Sequence, residues 1–151
     1  MNQRVSGMPF DMLKAESFIR GEATLPVVCD QPFETVAARL QSSVKANGMV
    51  LLKTHDLDRL LAAKGIEIGF RCRVYEVFDA ALAGQLLVLV LDAGLGHVLP
   101  CRISMHDQGG VITVTTPMPT ALMTEFSHAA DVARLARVFE AALQRVLRGL
   151  R

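Results

Sequence analysis

Five side chains combine a reactive type with a suggestive position: Glu76, Cys101, His97, Lys53 and Arg102. Glu76 falls in phase with Phe70, Cys72, Val74 and Phe78 in an alternating run, so one strand face would carry a lone carboxylate among mainly apolar neighbours. Burial there would raise its proton affinity, and perturbed groups concentrate in binding sites. Cys101 alternates with Leu99, Ile103 and Met105 on an apolar face, and as a nucleophile it would need a positive neighbour to stabilise the thiolate. Arg102 points to the opposite face, which leaves His97 or Lys53 to supply that charge. His97 lies in a glycine-bearing loop with Gly94 and Gly96, a usual location for ligand contacts. The expectation is a small pocket on a sheet, lined by Glu76 with His97 or Cys101 from a neighbouring strand.

Other chemistry finds little support. The histidines, His55, His97, His106 and His128, lack the close spacings of metal sites, so neither a metal nor another cofactor is expected. His55 and His106 read as solvated loop or edge residues. The run Asp92-Ala93-Gly94-Leu95-Gly96-His97 lacks the third glycine and the Gly-Lys-Ser/Thr ending of nucleotide loops, and there is no Gly-x-Ser-x-Gly elbow. No catalytic residue is assigned.

The whole chain bounds these readings. With 151 residues, 51% of them hydrophobic and 21% charged, it can bury a real core and is not a disordered tail. Sixteen Lys plus Arg against fifteen Asp plus Glu leave a net charge of +1 with no basic run, so nucleic acid is not an expected partner. Three scattered cysteines, Cys29, Cys72 and Cys101, suit small thiols in a reducing compartment, and a cytoplasmic location is expected. The longest uncharged apolar stretch, Ala80 to Leu91, is 12 residues, short of the ~20 that a spanning helix needs. No apolar block of a secretory signal stands at Met1 to Phe10, so neither membrane insertion nor export is expected.

The elements that must position the candidates follow from periodicity. Residues 1–22 read as an N-terminal extension and 23–151 as one α+β domain. Leu25, Val27 and Cys29 alternate as a first strand, and Pro26 marks it as an edge. Phe33, Val36, Ala37, Leu40 and Val44 recur at helical spacing after Pro32 and stop at a left-handed cap on Gly48. Met49 to Thr54 runs apolar on both faces into a short helix that Asp56 could cap and Gly65 could end. Phe70 to Phe78 is a third strand. Asp79 caps a following segment that is helical at its start, while Leu86 to Leu91 could equally be a buried strand. Val98 to Met105 and Val111 to Thr115 form a hairpin through Gly109 and Gly110. Thr120 to Leu150 reads as one long final helix, whose Arg134, Arg137, Arg145 and Arg148 form a solvated face.

Pro32-Phe33-Glu34-Thr35-Val36, the Asp56 helix, Asp79 after the third strand and, above all, Leu99-Pro100-Cys101-Arg102 before an apolar hairpin resemble the domain of unknown function 302 family across about residues 23 to 125. The resemblance implies an α+β fold similar to that of the TATA-box-binding protein, a curved and mainly antiparallel sheet backed by a long C-terminal helix. The implied order is β-α-β-(α)-β-(α)-β-β-α, often paired into dimers. It implies no activity and no catalytic residues, and fold alone does not license DNA binding. Two turns depart from the family pattern: Val77-Phe78-Asp79-Ala80 stands where a Cys or small residue precedes Asn-Pro, and Ala93 stands where a proline is common.

Three function classes follow. The first is a homodimeric small-ligand-binding or regulatory module. The second is a protein interaction domain without a ligand, motivated by strands apolar on both faces. The third is an enzyme using Cys101 or Glu76, which would need a second catalytic group within hydrogen-bond reach.

Overall fold

The computed structural model describes residues 24–92, 100–124 and 129–151. Ten elements follow in chain order: β1 (Thr24–Cys29), α1 (Phe33–Ala46), β2 (Met49–Asp56), α2 (Leu57–Ala62), β3 (Cys72–Asp79), α3 (Ala80–Asp92), β4 (Cys101–Gln108), β5 (Val111–Pro117), α4 (Pro119–Thr124) and α5 (Ala130–Arg148). The fold is α+β. Its five strands form one antiparallel sheet in the order β1-β5-β4-β3-β2, so β1 and β2 are the edges and α1 crosses between them.

Both large helices lie on the same sheet face. Leu40, Val44, Phe139, Leu143 and Val146 pack with Val27, Tyr75, Val77, Ile103, Met105, Ile112 and Val114 in one buried cluster. The α1 stripe and the α5 stripe supply the apolar surfaces that make this burial favourable. Two local features set the helix spacing. Ser43 Oγ donates to the carbonyl of Val146 at 2.6 Å, and Gly149 passes so close to Ser43 that a side chain there would collide with it.

A second cluster extends the α5 stripe beyond the sheet, where Val132, Leu135 and Ala136 meet Leu86 of α3 and Met123 of α4. This contact settles the ambiguous segment: Ala80–Asp92 is helical throughout, with no strand at Leu86 to Leu91. Leu82, Leu86 and Leu89 share one helical side against α5. Asp79 caps the helix as expected, accepting from the amides of Ala81 and Leu82. The final segment departs from its reading, because α4 and α5 are separate helices. Glu140 of α5 accepts from both the amide and the hydroxyl of Thr120 near the start of α4.

The hairpin closes through Gly109 and Gly110, at φ 64° and 83°, values that suit glycine. Its first strand is described from Cys101, since Val98 and Leu99 lie outside the described residues. Asp56 does not cap α2. Its Oδ1 instead accepts from Arg73 Nε at 2.6 Å, since the charged donor of the paired strand is the stronger partner.

Candidate binding site on the open face of the sheet

Alternation fixes which side of the sheet each candidate occupies. On β3 the helix-covered side takes Arg73, Tyr75 and Val77, so Cys72, Val74, Glu76 and Phe78 face the other way. The face richer in apolar residues by sequence is therefore the open one, and Glu76 sits there with its side chain 19% exposed.

Directly opposed residues of an antiparallel pair share a face. Glu76 opposes Arg102 on β4 and Lys53 on β2, so the three form a cross-strand row. Lys53 reaches this row through a bulge. The register shifts between Leu51 and Lys53, so Met49 and Leu51 turn toward the core while Lys53 and His55 turn to the open face. Uninterrupted alternation would have placed all four on one side. His55 Nε2 lies 3.4 Å from Glu76 Oε1, and Arg102 Nη2 lies 3.7 Å from the same oxygen. Lys53 makes no ion pair among the described residues.

Glu76, Arg102 and Lys53 thus come together. Cys101 does not join them. It is buried on the helix side, with its Sγ 3.6 Å from Thr116 Oγ1, and desolvation pushes its thiol above the ordinary range. Thr116 in turn donates to the carbonyl of Arg102 at 3.0 Å. His97 lies outside the described residues. The sequence reading missed His55 as a member of the cluster. Its signal was the two-residue spacing from Lys53, which keeps the pair on one face wherever the bulge sends them.

Also missed was a charged network on the core side, at the end of the sheet. Arg73 is buried; its guanidinium bonds to Asp56, meets Glu34 Oε1 at 3.3 Å and lies 3.5 Å from the hydroxyl of Tyr75. Arg71 Nη2 bonds to Glu34 at 2.6 Å and stacks its guanidinium 4.0 Å from the Phe33 ring centroid. These donors hold the Glu34 carboxyl below its ordinary range. The network ties the start of α1 to β2 and β3.

A cleft of about 450 Å³ opens nearby, lined by residues including Asp58, Arg59, Phe70, Arg71 and Asp107. None of the five candidate residues lines it. Several of its charges are already engaged: Arg71 by Glu34, Asp58 by the amide of Cys72, and Asp107 by the amide of Gly110. Among the described residues, no group of three or more His, Cys, Asp or Glu is arranged to hold a metal ion.

An α+β chain with one antiparallel sheet, two large helices on one face and a charged cluster on the other defines the class of protein. Its sequence matches the family described as domain of unknown function DUF302 over residues 26–150, and the chain belongs to that family. Among solved structures it is similar to an uncharacterised conserved DUF302 protein from Bacillus stearothermophilus. That similarity has a TM-score of 0.77 and 23% identity over 85% of this chain and 98% of that one. No curated protein matches the sequence.

Proposed function

We propose that this chain is a small-ligand-binding or regulatory module that works as a homodimer through the open face of its sheet. The observation that carries the reading is the cross-strand row of Lys53, Glu76 and Arg102, with His55 and Arg102 beside the Glu76 carboxylate, on the side that α1 and α5 leave uncovered. Charged groups held by rigid strands are pre-organised to orient a ligand. The apolar side chains of Val28 on β1 and Val111 on β5, 66% and 45% exposed, are surface that a second copy would cover beside the charged cluster. A reducing compartment, the cytoplasm, fits three cysteines that form no disulfide. No helix among the described residues is long and apolar enough to cross a membrane.

A second reading, an interaction domain without a ligand, draws support from α3, where Leu87, Val88 and Leu91 are exposed together. An enzyme using Cys101 draws none, because a buried thiol held protonated is a poor nucleophile. Native mass spectrometry of the freshly purified protein separates the first two readings. A dimer carrying a non-covalent adduct supports the ligand module, a bare dimer favours the interaction domain, and a bare monomer contradicts the proposal.

A further inference from the structure

Across the open face of the five strands, Glu76 is the one carboxylate among the described residues, and Lys53 and Arg102 supply two fixed positive charges. The remaining open-face positions are neutral at the formal count: Val50, Val74, Phe78, Ser104, Thr113 and Thr115 among them, with His55 and His106 able only to add positive charge. The cluster therefore carries a surplus of one positive charge. Arg102 has its side chain 67% exposed and approaches Glu76 only at 3.7 Å, which leaves donors free for solvent or a ligand, and Lys53 makes no ion pair among the described residues. Beside this row lies an apolar one, in which Val50 opposes Phe78 and the bulged Leu52 stands 53% exposed.

We infer that the ligand of this face is a small amphipathic organic anion. Its carboxylate or phosphate head lies above the row, taken by the solvent-facing ends of Lys53 and Arg102 rather than in line with Glu76, and its apolar part lies over Val50, Leu52 and Phe78. The inference rests on the proposed ligand-binding role. Charge complementarity argues for an anion, since a cation would meet two positive groups and one carboxylate already engaged by Arg102 and His55. The neighbouring apolar row makes a bare inorganic anion a poorer fit, because it would leave that surface wet. Glu76 positions Arg102 and His55 and limits the surplus to one charge.

The test is an amide-resolved NMR titration of the folded protein with sodium octanoate, octyl phosphate and octyltrimethylammonium. Saturable shifts at Lys53, Glu76 and Arg102 are expected from the anions, with the cation at least tenfold weaker, and the tighter anion identifies the head group. Lys53→Gln and Arg102→Gln are each expected to weaken the anions about three- to fivefold, the scale of an exposed ion pair. Glu76→Gln is expected to strengthen them. Equal binding of the cation at these residues overturns the anion assignment while leaving a ligand site on this face. No shift at these residues with any probe contradicts the site itself.

Discussion

Arg73 Nε donates to Asp56 Oδ1 at 2.6 Å, joining the last residue of an edge strand to a buried guanidinium on its neighbour. The same guanidinium meets Glu34 at the start of α1, so one side chain holds together two strands and the crossing helix. Arg73→Gln would leave Asp56 and the Tyr75 hydroxyl without their charged donor. A loss of about 2–3 kcal/mol is expected, below the full cost of breaking a buried pair because Asp56 and Glu34 retain water. Urea unfolding measures it, and a change below 0.5 kcal/mol, roughly the level of an ordinary surface substitution, would rule the network out as a structural tie.

Acid should weaken the same corner. Hydrogen bonds from Arg71 and then Arg73 depress the Glu34 pKa below its ordinary 4.5. A depressed carboxyl contributes stability that is present above that value and lost as pH falls through its folded-state pKa. Stability should therefore decline below about pH 4.5 in the wild type, with a shallower slope in Glu34→Gln. Glu34 is 63% exposed, so the difference between the two should shrink as salt is added. Thermal melts across pH 3 to 6 supply the comparison.

Where α1 and α5 cross, Gly149 leaves room for Ser43, whose hydroxyl bonds to Val146. Gly149→Ala is expected to cost about 1–3 kcal/mol by overpacking. Ser43→Ala should cost about 1 kcal/mol by losing the hydrogen bond. In the double variant the alanine at 149 no longer meets the hydroxyl, so the costs should fall short of additive. Strict additivity in a double-mutant cycle would show that the two residues are not in contact in solution.

Thiol labelling distinguishes the three cysteines. Burial raises the pKa of each, and Cys29 and Cys101 are buried while Cys72 is only half-buried. Cys72 should react first, and Cys101 only at the rate of unfolding, as low thiolate fraction and enclosure both dictate. A Cys101 that labels rapidly in the native protein would reopen the nucleophile reading.

Much of the architecture was legible because it rests on local signals: the α1 and α5 stripes, Asp79 at a helix start, and the paired glycines of the hairpin. The antiparallel sheet and C-terminal helix follow the expected order, with α4 as an addition. Less legible was anything decided by tertiary contact. Leu86 to Leu91 became helix because α5 offers an apolar surface for one of its sides. The β3 alternation was visible, yet which side met the helices was not, since Arg73 is buried only by virtue of Asp56 and Glu34. Lys53 was a candidate for its charge, but its place beside Glu76 depends on a one-residue bulge that no periodicity announces.

In the proposed function the row formed by Lys53, Glu76 and Arg102 is the ligand-binding element. This role is tested most directly by extracting small molecules from the purified wild type and from a Lys53→Gln/Arg102→Gln double variant, both shown folded by circular dichroism, and comparing the extracts by mass spectrometry. An organic anion enriched on the wild type and depleted from the variant is the expected result. Identical extracts from two folded proteins would contradict it.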